Sequence, residues 1–227
     1  MIISFDIETI ANHDAVAIMP PPEVKTGNIK DPSKIAEKVA EAKREQTEKA
    51  ALDPLTARVV CYSAVGFVAP SHEGMQEHVE IIKEASDEEE TKIIQSIFRV
   101  LGEDETRIVT WNGIGFDLPM IYKRAMILDI NPGNFGTPPL SVWTKRYSTE
   151  RHYDLMQIWG GWNSNQFAKL DTVARMVLGE RKNDFDVTTL GELIKTEEGR
   201  DAAAKYCLQD ANLTWLLWTK FNGTLFN

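Results

Sequence analysis

Asp6 and Glu8 stand two residues apart in Phe5-Asp6-Ile7-Glu8-Thr9, Asp117 closes Asn112-Gly113-Ile114-Gly115-Phe116-Asp117, and Tyr206 and Asp210 stand four apart in Tyr206-Cys207-Leu208-Gln209-Asp210. Hydrolysis of a phosphodiester calls for such a set. In-line displacement at phosphorus develops charge on an attacking and a leaving oxygen on opposite sides, and two divalent cations stabilise both at once. Those cations take hard anionic oxygens, which Asp and Glu supply, whereas Cys and His suit softer metals.

The elements that must position these groups are legible around them. Residues 1–5 are apolar and β-branched enough for a buried strand, and on a strand Asp6 and Glu8 leave the same face with Cβ atoms roughly 7 Å apart. Residues 109–111 read as a second short strand, Asn112-Gly113 as a turn, and Pro119 as the first turn of a helix, which puts Asp117 at a helix N-terminus. A helical run starts at Ala202–Ala204 and continues through Leu208, Leu213, Leu216 and Leu217. Tyr206 and Asp210 therefore share one face of that helix.

Together these segments resemble the DEDD superfamily of 3′→5′ exonucleases in its tyrosine-bearing branch, and most of all the proofreading domain of family B DNA polymerases. Phe-Asp-Ile-Glu-Thr matches the first motif, Asn-Gly-x-x-Phe-Asp-x-Pro the second and Tyr-x-x-x-Asp the third, in the right order over residues 5–210. The other branch carries a His five residues before the last Asp, where this chain has Lys205. The resemblance implies that Asp6, Glu8, Asp117 and Asp210 hold two Mg²⁺ or Mn²⁺ ions. It also implies that Tyr206 orients the attacking water. An unperturbed phenol has a pKa of about 10, so hydrogen bonding is expected of Tyr206 more than proton removal. By the same resemblance Phe116 wedges between the last bases, Asn112 bonds backbone or sugar, and Ile7, Thr9 and Ile10 bed the terminal sugar and base.

Each feature also has a plainer reading. Phe116 alone is a core aromatic, Asn112-Gly113 alone a turn, and Asp210 alone a solvated helix charge. In Arg151-His152-Tyr153-Asp154-Leu155, His152 or Asp154 either supports the metals and the scissile strand or Asp154 simply caps the next helix; the cap is the simpler expectation.

Further along, strands are expected at residues 58–67, 79–82, 108–111 and between 150 and 160. Helices are expected over 34–45, 87–101, 117–127, 169–178, 189–195 and 200–221. This predicts one α/β domain over residues 1–227 with an RNase H-like fold, its mixed five-stranded sheet in the order 3-2-1-4-5 with helices on both faces. Residues 20–57 form an insertion: Pro20-Pro21-Pro22 leads to a helix capped by Asp31 and opened by Pro32, with few apolar side chains to bury. A surface helix near the cleft is expected there.

Composition agrees. With 227 residues and 43% apolar content the chain can build one substantial core. No uninterrupted apolar run approaches a membrane span and no basic or hydrophobic leader precedes the first strand, so an intracellular (cytoplasmic) protein without membrane attachment is expected. Cys61 and Cys207 read as small buried residues. The formal net charge is −9, which argues against tracking a long duplex, since duplex affinity comes from Lys and Arg. Local grip on a frayed 3′ end is expected instead, with Lys123, Arg124, Lys145, Arg146 and Arg151 as a small basic patch and Trp143 and Tyr147 as stacking surfaces; a solvated loop is the alternative.

The expected activity is release of nucleoside monophosphates from single-stranded or frayed DNA. RNA is the alternative substrate, differing only in its 2′-OH. A nuclease-like binding module that recruits partners through the insertion is the reading of another class. Any proofreading would be done beside a separate polymerase or replication protein.

Overall fold

The structure, a computed structural model, describes residues 1–27, 29–67 and 75–225. It begins with β1 (Ile2–Ala11), after which Asn12 caps the short helix α1 (His13–Ile18) by accepting from the Ala15 amide. The insertion carries α2 (Pro32–Glu48), with Asp31 as N-cap and Pro32 at its start, as its sequence dictates. β2 (Ala57–Phe67), β3 (Gln76–Ile81) and α3 (Asp87–Leu101) follow. The first turn of α3 gathers Asp87, Glu88, Glu89 and Glu90 where the helix dipole favours negative charge. Then come β4 (Arg107–Thr110), α4 (Asp117–Ile127), α5 (Leu140–Trp143), β5 (His152–Asp154), α6 (Leu155–Trp159), α7 (Leu170–Val177), α8 (Leu190–Leu193) and α9 (Glu197–Asn222).

The sheet runs β3-β2-β1-β4-β5, the predicted order. β1 pairs antiparallel with β2 and parallel with β4, β3 pairs antiparallel with β2, and β5 pairs parallel with β4. A parallel neighbour for β1 requires a crossover, which α3 supplies. β1 is longer than residues 1–5 because Ile7 and Ile10 continue its buried pattern, so the acidic pair lies inside the strand. The expected helix over 189–195 shrinks to α8, preceded by a 3-10 turn at Val187–Thr189.

Both faces of the sheet are covered, and alternation along β1 separates them. Ile3, Phe5 and Ile7 join the larger core with Tyr62, Ile94, Phe98 and Leu118. On the opposite face Ser4 and Ser63 donate to the carbonyls of Ala211 and Cys207 on α9, the latter at 2.9 Å. Ala203, Cys207 and Ala211, four apart on α9 and fully buried, leave no bulk to hold the helix away. Gly199 allows a similar closeness at its start, since a Cβ there would lie 2.0 Å from the Leu193 carbonyl oxygen. Close seating of α9 is what carries Tyr206 and Asp210 to β1.

In the insertion, α2 buries none of its residues, as expected of a surface helix. Its exit is anchored beside β1, where Thr9 Oγ1 donates to the Ala51 carbonyl at 2.7 Å and Ala50 is buried. Among the described residues no helix is long and apolar enough to cross a membrane.

Candidate active site

Asp6 and Glu8 lie on the α9 side of β1, and a bulge follows them: Glu8 pairs with Cys61 but Thr9 with Val59. Their carboxylate oxygens and Cys207 Sγ all lie within 4.8 Å of one another. The thiol reaches the Asp6 carbonyl at 3.7 Å, the Asp6 Oδ2 at 3.8 Å and Ser63 Oγ at 3.4 Å, and burial pushes its pKa well up. Both cysteines are free and buried, as expected.

Asp117 is placed by a tight turn after β4. Asn112 sits at φ 76°, a left-handed conformation that Asn tolerates better than most residues. Its carbonyl accepts from the amides of Gly115 and Phe116 at 3.0 and 2.9 Å. Gly113 leaves no room for a side chain, since a Cβ there would lie 2.3 Å from Thr110 Oγ1 and 2.7 Å from Thr110 Cβ, whereas at position 115 a Cβ would displace the Asn112 amide oxygen, 2.4 Å away. Asp154 clamps the same turn from β5. It caps α6 by accepting from Met156 and Gln157, as the simpler reading predicts, and also accepts from the amides of Asn112 (3.2 Å) and Ile114 (2.9 Å). His152, whose pKa burial lowers, bridges Thr110 Oγ1 (2.7 Å) and the Trp143 carbonyl (2.8 Å). Both residues thus support the turn that begins α4 at Asp117.

From α9 come Tyr206 and Asp210, both buried. A residue missed in the sequence joins them: Lys182 Nζ donates to Tyr206 Oη at 2.8 Å and to Asp210 Oδ2. Its segment is pinned from two sides. The Lys182 amide donates to Asp171 on α7 at 3.1 Å, while Gln209 on α9 bonds the Asn183 amide (2.8 Å) and the Arg181 carbonyl (3.1 Å). Phe185 stacks on Tyr206 with ring centroids 4.5 Å apart. Burial pulls the Lys182 pKa down, but Asp210 and Tyr206 outweigh it and hold the ammonium charged.

The carboxylates repel one another out of water. Burial raises the pKa of Asp6 well above its ordinary value, and Glu8, Asp117 and Asp210 push it further. Burial, then Asp210, raises Glu8 to about 8. Asp117 rises to about 7 by burial, with Asp154 adding to it and backbone groups of Asp117 and Ile7 opposing it. Asp210 is raised by burial against the pull of Lys182, and its Oδ1 is buried with no hydrogen-bond partner among the described residues. A desolvated cluster of four carboxylates, in which the only softer donor is the Cys207 thiol whose raised pKa keeps it protonated, fits hard divalent cations. The expected result is that Mg²⁺ raises the melting temperature, by about 2.7 kcal/mol of stability at a hundred times its Kd. The sign with pH follows from the raised values. Between about 4 and 8 the folded state holds more protons than the unfolded one, so metal-free stability falls as pH rises through that window. Mg²⁺ should therefore raise the melting point more at pH 8 than at pH 5, and thermal melts with and without EDTA check this.

Other expectations place differently. Ile7 is 4% exposed and Ile10 is buried, both in the larger core, so neither side chain beds a sugar; on a strand Ile7 must point away from Asp6 and Glu8. Thr9 is engaged with Ala51. Phe116, half-buried, leans on the core as its plainer reading predicts, and Asn112 lines a cleft together with Lys182. Arg124 does not belong to a basic patch: it is 2% exposed and ion-paired with Glu90 on α3. Trp143 is 1% exposed and offers no stacking surface. Lys145 is paired with Glu150 at 3.1 Å and Arg151 bonds the Thr106 carbonyl, whereas Lys123 and Arg146 are exposed.

Residues 52–225 match the model of a family described as predicted 3′-5′ exonuclease related to the exonuclease domain of PolB. Asp6 and Glu8 precede that stretch. The DNA polymerase of Pyrococcus glycovorans is 28% identical over 140 residues, 58% of this chain and 18% of that protein. DNA polymerase 1 of Aeropyrum pernix is 28% identical over 128 residues, 53% of this chain and 13% of that protein. The chain thus spans less than a fifth of the length of these relatives. The family B DNA polymerase from the hyperthermophilic archaeon Pyrobaculum calidifontis has the same fold over 97% of this chain and 24% of its own, with a TM-score of 0.61 at 20% identity.

Proposed function

This chain belongs to the family of predicted 3′-5′ exonucleases related to the exonuclease domain of PolB, and from that membership we propose that it hydrolyses single-stranded or frayed DNA from the 3′ end, releasing nucleoside monophosphates. The observation that carries the reading is the desolvated acidic cluster itself, in which Asp6 feels the charges of Glu8, Asp117 and Asp210 and the Oδ1 of Asp210 lacks a partner among the described residues.

Asp6, Glu8, Asp117 and Asp210 would hold two Mg²⁺ or Mn²⁺ ions. Such a pair, when bound, acidifies water and stabilises the charge that builds on the scissile phosphate. The chain's own groups do the rest. Burial raises the Tyr206 phenol above its ordinary pKa, so it orients the attacking water and leaves the proton alone. Lys182 fixes that hydroxyl from one side and Phe185 the ring from the other. The Lys182 ammonium adds a positive charge facing the phosphate, in a cluster otherwise short of them. Asn112, in the adjoining cleft, offers an amide to the terminal sugar or backbone.

Tyr206→Phe should lower the turnover rate about 10- to 100-fold through misplaced water while leaving the Mg²⁺-induced rise in melting temperature intact. Equal loss of both would contradict a positioning role. The activity itself is tested with 5′-labelled single-stranded DNA, duplex DNA and RNA in Mg²⁺, Mn²⁺ or EDTA. A ladder shortening from the 3′ end only with metal is expected, with single-stranded DNA the best substrate. Cleavage from the 5′ end or at internal positions overturns the directional claim, and faster cleavage of RNA replaces the substrate.

A further inference from the structure

Beyond the carboxylates, the loop after α5 and the segment after α6 enclose a second cleft of about 520 Å³, lined by Ile114, Thr144, Arg146, Gln157, Trp162, Asn163, Ser164 and Phe167. One lining residue, Trp162, has an unusual neighbour in Tyr147, which packs on it from outside the lining. Tyr147 and Trp162 both hold left-handed backbone conformations, at φ 64° and 61°, which bulky residues rarely adopt. They nonetheless face each other with ring centroids 5.2 Å apart. Tyr147 is 68% exposed, and the Arg146 guanidinium lies 5.0 Å over its ring. Neither Arg146 nor Lys169 is paired with a carboxylate among the described residues. In a chain of net charge −9, two cations without a carboxylate partner, beside the exposed Tyr147 and the half-buried Trp162 and Phe167, are suited to a flexible, negatively charged ligand with flat faces.

The cleft adjoins a neighbouring one that reaches Lys182 beside the acidic centre. Phe167 is shared with a neighbouring cleft lined also by Trp111, Asn112, Lys169 and Lys182, and Lys182 rests on Asp210. Ile114 and Asn112, one on each side, belong to the turn that starts α4. A strand with its 3′ end at the carboxylates could pass Asn112, Lys169 and Phe167 to reach Arg146 and Trp162.

We propose that the cleft of Arg146 and Trp162 is a subsite for a nucleotide 5′ of the one being removed, its base stacked on Trp162, which Tyr147 backs, and its phosphate met by Arg146. The subsite rests on the exonuclease reading for its polarity, and stacking makes it tolerant of base identity, since every base has a π-face.

The test measures binding of 5′-fluorescein-labelled oligothymidylates, from a dinucleotide to about eight nucleotides, to the full chain in Ca²⁺ by fluorescence polarisation. Arg146→Ala and Trp162→Ala should each weaken the longest oligonucleotide about tenfold, Trp162→Phe by no more than about twofold, and none should alter the dinucleotide. Variants that bind the long oligonucleotide like the wild type, or that lose the dinucleotide equally, overturn the subsite, as does a wild type that binds none of the series. Arg146 is exposed, so its substitution keeps the test sharp should Trp162→Ala fail to fold. The wild type then separates the two readings. Length-dependent binding without any cleavage sinks the exonuclease and leaves the subsite, whereas 3′-end cleavage with unaltered variants does the reverse.

Discussion

Exchanging Asp6 for Asn should stop 3′-end cleavage, slowing it about a thousandfold or more, while raising the melting temperature of the metal-free protein. The two effects have one cause. The Asp6 carboxyl is buried among Glu8, Asp117 and Asp210, and its raised pKa measures how poorly its charge is tolerated there. Without cations the folded chain carries that repulsion; with them the same charges become ligands. Asn keeps the shape and removes the charge, so the metal-free fold should gain about 1 kcal/mol, or some 2–4 °C for a domain of this size. The Mg²⁺-dependent rise in melting temperature should shrink in the same variant. Melts in EDTA and in Mg²⁺ beside the labelled-strand assay separate this from a folding defect. A variant that melts lower than the wild type in EDTA, or that still shortens the strand at the wild-type rate, contradicts the electrostatic account.

The parts of this site that could be read from the chain were those governed by short periodicities. Asp6 and Glu8 at i, i+2 on a strand and Tyr206 and Asp210 at i, i+4 on a helix meet their expectations because backbone geometry leaves those pairs little choice. The sheet order, β3-β2-β1-β4-β5, matches the RNase H-like fold that the family resemblance implies, and no periodicity along the chain specifies it. Alternation was also available for Ile7, which lies between two acids and must face the core; the resemblance to a family motif obscured that simpler inference. Lys182 could not be read in this way. It lies in an aperiodic, charged stretch, and only the pairing of Gln209 and Asp171 with that backbone delivers its ammonium to Asp210. The same holds for Trp162, whose left-handed backbone has no marker in the local sequence beyond the glycines before it.

Arg124 is the sharpest case, and it carries the largest stability effect. Beside Lys123 it looks like half of a basic pair, but neighbours on a helix point about 100° apart, so one can face water while the other faces the interior. Arg124 crosses to α3, where its Nε and Nη2 meet the two carboxylate oxygens of Glu90 at 2.8 and 2.6 Å, and its Nη1 reaches the Pro54 carbonyl at 3.1 Å. Glu90 is fully buried and also accepts from the Val59 amide at 2.9 Å. Arg58 on β2 approaches the same carboxylate at 3.6 Å while bonding Asp87 at 2.5 Å. The cluster ties α3, α4, β2 and the exit of the insertion together, and each charge in it is tolerable only while its partners remain. Arg124→Ala should therefore cost about 3–5 kcal/mol, near 10 °C or more in melting temperature, read by urea unfolding. The double exchange Glu90→Leu with Arg124→Met removes both charges and should recover much of that loss, because a desolvated pair contributes far less than the penalty of stranding either member. Since the cluster lies on the opposite face of the sheet from the acidic site, the double variant should cleave at a rate close to the wild type wherever it is folded. A double variant no more stable than Arg124→Ala would mean that the guanidinium's hydrogen bond to Pro54, and with it the seating of the insertion, outweighs the ion pair.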